Sequence, residues 1–434
     1  MNKAEDREIW IKNARIITET GIIRGSAVVK GTRIARVMRE EAQEREDREK
    51  DGADISVCRA CAERGIPIRE IWRNPGDMHE AGQKKLIIDA GGLYLSPGFI
   101  DIHTHGGGGC DFMDGTETAV ETACRMHLRH GTTSIVPTTL AGSQEGLLSF
   151  LALFEGMEQK KQGWPEILGL HLEGPYFAPG QKGAQNPAWL RNPDPKEYNA
   201  VLSATDRICR WSFAPELPGG DAFLQELRRR GIVSSLAHSD ADCRQVFRAC
   251  ENGLAALTHF YSCMTGVTRK QGFRAAGAIE AGYLLDSLYV EVIADGCHLP
   301  EELLSLIYKI KGAERICLVT DSMRAAGMPD GEYLLGSMQE GRRCIKEDGV
   351  AKLPDRSAFA GSVATADRLV RTFRRLTGAP LYQAVKMMSL TPARLMGVEK
   401  QKGSIAEGKD ADLLLFDEEI GIRGVMVRGE FVVF

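Results

Sequence analysis

The feature that most constrains this chain is a series of short apolar segments between Phe99 and Asp321, each closing on polar or ionisable residues: FIDIHTH, TSIVPT, ILGLHLE, RWSFAPE, VSSLAH, AALTHF, YVEVIAD and RICLVTD. Segments this short and this rich in Val, Ile and Leu read as strands, and helical stretches such as Ala119 to His130 and Ala222 to Arg230 lie between them. Eight such strands alternating with helices predict an α/β fold, a (β/α)8 TIM-type barrel of parallel strands rather than a sandwich. Barrel enzymes keep their chemistry at the C-terminal ends of the strands. Here those ends carry His103, His105, Glu173, Glu216, His238, His259, Asp295 and Asp321.

The flanks have a different pattern. IWIKNARII, SAVV and TRIARV near the start, and GSIAEGKDADLLLFD with GVMVRGEFVVF at the end, are short β-rich runs broken by Gly turns. Their likeness predicts that residues 1–95 and 397–434 meet in one small β-domain, interrupted by a catalytic barrel over 96–396 whose last part, 380–396, is helical. Residues 39–85 read as a charged surface insertion without an assigned function. Within it Cys58 and Cys61 form a lone CxxC, weak evidence for zinc, and read as two thiols.

Composition bears on the partner. Lys plus Arg total 55 against 59 for Asp plus Glu, a formal charge of −4, so no general field attracts nucleic acid or an anionic membrane. The opening MNKAEDREIW lacks the pattern of a secretory signal, and no apolar run reaches the roughly 18 residues that span a bilayer. With 11 scattered cysteines, an odd number, the expectation is reduced thiols in a soluble cytoplasmic protein.

His103 and His105 are two apart on a strand, so alternation turns both side chains to one face. A single strand histidine is more often a satisfied core residue. Adding Glu173, His238 and His259, each ending its own strand, makes five nitrogen or oxygen ligands suited to zinc, ferrous iron or another first-row divalent ion, one or two per chain. Asp321 alone would be a helix N-cap. Beside a metal it has a second use: it can take a proton from a water that becomes the nucleophile and return it to the leaving group. Hydrolysis is the reaction class these residues predict.

PGFIDIHTHGGGG, HLEGPYFAPGQKGAQ, AHSDA, THFY, IADGCHLP, LVTDS and AGSVAT, in this order and spacing, resemble the N-acetylglucosamine-6-phosphate deacetylases of the amidohydrolase superfamily over roughly 86–416. The resemblance implies Glu173, His238 and His259 as principal metal ligands, with His103 and His105 as the HxH that some members use for a second metal. It implies Asp321 as catalytic acid and base, Gln185 as a sugar contact, and His298 as a residue that touches substrate and polarises its carbonyl. It also implies a homodimer and a β-sandwich built from both termini.

One departure follows His259. Family members usually continue with a Tyr-Asn-Ala-Met sequence and then a Gly-Arg that reaches the substrate phosphate. Here Tyr261, Ser262, Cys263 and Met264 stand in the first position, with Ser262 and Cys263 carried over as substrate contacts. Arg269, Lys270 and Arg274 stand near the second with shifted spacing, and a guanidinium fork among them suits a phosphate. Otherwise these cations belong to a solvated loop. The leading expectation is release of acetate from N-acetylglucosamine 6-phosphate. Its rivals are an amidohydrolase for another N-acyl compound without a phosphate requirement, and a silent homologue that serves as a binding protein.

Overall fold

A computed structural model describes residues 8–40, 85–158 and 161–432, so residues 41–84 of the charged insertion, Cys58 and Cys61 among them, lie outside the described residues. The described residues of Met1–Phe99 with Pro380–Phe434 form one compact unit, and Ile100–Ala379 form the other. The sequence reading ended the barrel at 396, but the helices Leu381–Met387 and Leu390–Leu395 fall in the first unit. Their buried faces do not by themselves reveal which core receives them.

The first unit holds an eight-stranded sheet, seven strands of it along one hydrogen-bonded path and Lys85–Asp89 branching from it. Glu8–Ile17 pairs antiparallel with Ile22–Lys30 and parallel with Lys85–Asp89 and Tyr94–Pro97, and Tyr94–Pro97 pairs antiparallel with Leu413–Phe416. The two chain ends are thus woven into the same sheet. Ile34 N–H donates to Lys409 O (2.8 Å) and Gly429 N–H to Ala411 O (3.0 Å), so both margins of the sheet reach one segment and roll over a single core that includes Ile9, Ile11, Ile16, Leu95, Leu413 and Met426.

The second unit takes over from the second residue of Phe99–Thr104, and every residue of this strand and of Thr132–Pro137 is buried, as expected of parallel strands covered on both faces. These two and Glu166–Ile167 form one sheet. Leu170–Glu173, Ile208–Phe213, Val233–Leu236, Ala256–Leu257, Tyr289–Val292 and Ile316–Leu318 form another in which each strand is parallel to the next. All eight segments expected to be strands hold one.

The connecting helices are closed by local chemistry. Thr116 Oγ accepts from Ala119 N–H at the start of Glu117–Arg129, whose buried Val120, Ala123, Cys124, His127 and Leu128 recur at helical spacing. Asp242 and Gln245 form a reciprocal capping box on Cys243–Glu251, which fixes the turn after His238. Two additions lie outside the alternating pattern: a hairpin, Thr268–Lys270 with Phe273–Ala275, and a three-stranded antiparallel sheet over Gly331–Leu335, Arg342–Glu347 and Val350–Lys352. Among the described residues no helix is long and apolar enough to cross a membrane.

Candidate active site

The ionisable strand ends converge in the second unit. Two groups, His103 with His105 and Asp321, and Glu173 with His238 and His259, each present ligand atoms within 4.8 Å of one another, and all six residues are buried. His103 and His105 come from the end of the first core strand, and Asp321 follows the last. Their backbones are tied there: Asp321 N–H donates to His103 O at 2.9 Å and His105 N–H to Ser322 O at 2.8 Å. His238, His259 and Asp321 have φ of 46°, 32° and 46°, left-handed conformations that cost non-glycine residues energy and collect at functional sites.

Glu173 sits between the groups. Its Oε1 lies 3.4 Å from His238 Nε2 and 3.1 Å from His259 Nε2, and its Oε2 lies 3.6 Å from His105 Nε2. Asp321 Oδ1 is 3.1 Å from His105 Nε2 and 3.4 Å from His103 Nε2. His238 Nε2 and His259 Nε2 face each other at 3.3 Å. The other ring nitrogens of this pair are already used, His238 Nδ1 donating to Gln181 O (2.7 Å) and His259 Nδ1 to Ser262 O (3.2 Å). Two ring nitrogens pointed at each other and at a carboxylate, with the opposite nitrogens already engaged, become a donor set for a divalent cation when they give up their protons. His103 Nε2, buried and without a hydrogen-bond partner among the described residues, points to the same conclusion.

The electrostatics agree. Burial pushes the Glu173 carboxyl up, but the bonded His238 and His259 and the nearby His103 hold it well below the usual carboxylate range. Burial likewise opposes ionisation of Asp321, and His103 and His105 outweigh it, leaving that carboxyl low. Burial disfavours charge on His105, yet its bond to Asp321 and the charges of Glu173, Asp321 and Asp111 raise it to about 9. His238 is raised well above the ordinary imidazole value: against burial stand the Cys263 thiol and Glu173. Protons on imidazoles thus balance two buried carboxylates, a role a dication would take over.

The remaining sequence-predicted residues divide. Gln185 is buried, its Nε2 donating to Glu173 Oε2 (2.8 Å) and its Oε1 accepting from Ala141 N–H (2.9 Å), so it orients Glu173. His298 donates from Nδ1 to Asp295 Oδ2 at 2.8 Å and packs on Phe359, so the carboxylate that ends the seventh strand acts on His298. Ser262 and Cys263 lie in the turn after His259, where Cys263 has φ 52° and its thiol meets His238. Arg269 and Arg274 face each other across the exposed hairpin, with Lys270 on the same strand. Glu216 stands apart, accepting from Ser239 Oγ (2.7 Å) and Asp240 N–H (2.6 Å).

Sequence reasoning missed Glu291 and Arg210, both wholly buried and ion-paired with each other. Glu291 Oε2 accepts from His103 Nδ1 at 2.9 Å. The available signal was a charge in the middle of an apolar strand, in YVEV and in CRWSF.

Comparison with known proteins gives one consistent picture. The model of the amidohydrolase family matches residues 94–432. An N-acetylglucosamine-6-phosphate deacetylase from Vibrio furnissii is 35% identical over 346 residues, covering 80% of this chain and 84% of that protein. An N-acetylgalactosamine-6-phosphate deacetylase from Escherichia coli O157:H7 is 32% identical, covering 78% of this chain and 88% of that one. Among solved structures, a mutant N-acetyl-D-glucosamine-6-phosphate deacetylase from Mycobacterium smegmatis in complex with N-acetyl-D-glucosamine-6-phosphate superposes with a TM-score of 0.80 at 27% identity, over 99% of this chain and 100% of that one.

Proposed function

We propose that this chain, which belongs to the amidohydrolase family and within it to the N-acetylglucosamine-6-phosphate deacetylases, hydrolyses the acetamide of N-acetylglucosamine 6-phosphate to acetate and glucosamine 6-phosphate. The observation that carries this reading is the convergence of Glu173, His238 and His259 with His103, His105 and Asp321. The first trio would hold the principal divalent ion, zinc or ferrous iron, and the HxH pair a second. Bound there, such an ion polarises an amide carbonyl and acidifies a water.

The chain's own groups supply the rest. The Asp321 carboxylate accepts the proton of the attacking water as the new C–O bond forms, then passes it to the amine nitrogen as the C–N bond breaks. Gln185 keeps the Glu173 carboxylate in one orientation. His298, braced by Asp295, is the proposed donor to the acetamide oxygen. Arg269 and Arg274 are directly opposed across an antiparallel pair, an unfavourable arrangement for like charges that a phosphate between them would relieve.

The same proposal closes the eight core strands into a (β/α)8 barrel. In support, the Thr138–His171 bridge joins the two parallel sheets on one side, and the Asp321 N–H bond to His103 O brings the last strand beside the first on the other. A cytoplasmic homodimer is part of the proposal on the strength of the family resemblance.

A second reading, the same chemistry on the galactosamine epimer, is motivated by the Escherichia coli relative. Acetate release from N-acetylglucosamine 6-phosphate, N-acetylgalactosamine 6-phosphate, N-acetylglucosamine and N-acetyl amino acids decides between them. The first substrate is expected to give the highest kcat/KM. Preference for the second favours the epimer reading, and preference for an unphosphorylated compound overturns both.

A further inference from the structure

Beneath the strand ends, in the interior of the second unit, lie two opposite charges that the proposed chemistry does not use. Glu291 and Arg210 are both wholly buried. A charge there is costly to hold unless it is paired and its remaining polar atoms are bonded. The bonds they make are specific. Glu291 Oε2 accepts from His103 Nδ1 (2.9 Å) and from the backbone N–H of His259 (3.3 Å), while its other oxygen meets the Arg210 guanidinium. Arg210 donates in turn to Ile102 O (3.2 Å) and Thr258 Oγ1 (3.1 Å), in the residues immediately before His103 and His259. The ion pair therefore holds two strands at the point where each delivers an imidazole.

Its effect on the two imidazoles differs. At His259 the carboxylate touches the backbone, and the ring is oriented by a neutral carbonyl, Ser262 O. His238 is likewise oriented by Gln181 O, and His105 Nδ1 is buried without a hydrogen-bond partner among the described residues. Among these four imidazoles, His103 is the one whose Nδ1 faces a carboxylate. That bond keeps a proton on Nδ1 and leaves the Nε2 lone pair directed at the space shared with Asp321 and Glu173, 3.4 and 3.9 Å away. Carboxylate–histidine pairs of this kind fix the ligand's tautomer and raise its basicity, and their loss weakens metal binding by roughly 10- to 100-fold.

We infer that Glu291, held in place by Arg210, is the positioning residue for His103 and sets the affinity of the His103/His105/Asp321 position separately from that of the Glu173/His238/His259 position. This rests on the metal-dependent reading above. Glu291→Gln removes the charge and replaces an acceptor-only carboxylate with an amide that can donate as well as accept, so it no longer dictates which nitrogen of His103 carries the proton. Because it strands Arg210, the double variant Glu291→Gln/Arg210→Met, which buries no unpaired charge, is made alongside it.

Zinc is titrated into metal-stripped full-length protein against a competing chelator, with elemental analysis of the loaded form. Wild type should bind two ions. Both variants should bind the weaker ion roughly 10- to 100-fold less well, with the tighter one changed less than about threefold. Nitrogen NMR of ¹⁵N-histidine-labelled, metal-stripped protein should show the His103 resonances, assigned with His103→Asn, leave the Nδ1-protonated pattern in the variants. Equal weakening of both ions, an unchanged second ion in the folded double variant, or a wild type that binds a single ion overturns the assignment. A wild type that takes up no divalent ion overturns the metal reading itself.

Discussion

The cluster at the strand ends and the hairpin Thr268–Ala275, to which the proposal gives metal chemistry and phosphate recognition respectively, are built on opposite terms. His103, His105, Glu173, His238, His259 and Asp321 are at most 7% exposed, and backbone bonds or neighbouring side chains fix their directions. In the hairpin Phe273 is 79% exposed, Arg269 and Arg274 project from a two-stranded ribbon, and packing dictates little about where the guanidiniums point. Proton transfer and metal ligation fail when atoms are misplaced by about an ångström, so their groups sit where the framework over-determines them. Charge recognition by a long cationic side chain tolerates displacement and can be carried on a ribbon.

The largest effect should come from the buried region. Asp321→Asn is nearly isosteric but cannot take a proton, and turnover should fall roughly 100- to 10,000-fold with the fold and the ion of the Glu173/His238/His259 position retained. Steady-state kinetics beside elemental analysis measure this. A variant within a few-fold of wild type would make Asp321 no more than a structural residue and erase the contrast with the hairpin.

A smaller and more selective effect is expected from the ribbon. Among Arg269→Ala, Lys270→Ala and Arg274→Ala, loss of the phosphate-binding cation should lower kcat/KM for the phosphorylated sugar by roughly 10- to 100-fold, the worth of one charge-assisted hydrogen bond, and leave the unphosphorylated sugar nearly unchanged. If none of the three alters the ratio between the two sugars, the hairpin has no part in recognition.

The smallest effect concerns the support under the cluster and leaves turnover near neutral pH unchanged. His127 is buried, with Nε2 at 3.0 Å from both Thr104 Oγ1 and Gly106 O, on either side of His105. Burial lowers its pKa to about 4. Between pH 6.5 and 4 the unfolded chain therefore holds a proton that the folded protein does not, and the stability this neutral histidine contributes near pH 7 is lost as the pH falls through that window. Asp101, which burial raises to about 6, titrates in the same range but is common to both proteins and cancels in a difference. Urea unfolding of wild type and His127→Gln at pH 7 and pH 5 should show wild type losing about 1 to 2 kcal/mol relative to the variant. Parallel curves would mean that His127 is not held neutral.

Much of this was legible before any coordinates because the signals are local. A buried parallel strand needs only a few consecutive β-branched residues, alternation sends His103 and His105 to one face, and the termini of such strands are where an α/β fold gathers its chemistry. The eight apolar runs and the polar residues that close them were therefore readable one segment at a time, as was the family from HLEGP and KGAQ. The Arg269–Lys270–Arg274 cluster was readable as charge, but its opposition of Arg269 to Arg274 depends on a hairpin register that the spacing alone did not settle.

The tertiary structure decided whatever depends on partners distant in sequence. Nothing in YVEV says that its glutamate will meet an arginine from CRWSF and a histidine from FIDIHTH, since those contacts exist only once three strands that do not pair with one another converge on one interior. Gln185 turns out to brace Glu173, and Asp295 to brace His298, by the same logic of neighbours. Helices 381–387 and 390–395 join the rolled sheet's unit because a buried apolar face is indifferent, in sequence, to which core covers it. Residue chemistry and periodicity are properties of short stretches of chain, whereas pairing, burial and the direction of a ring nitrogen belong to the packed whole.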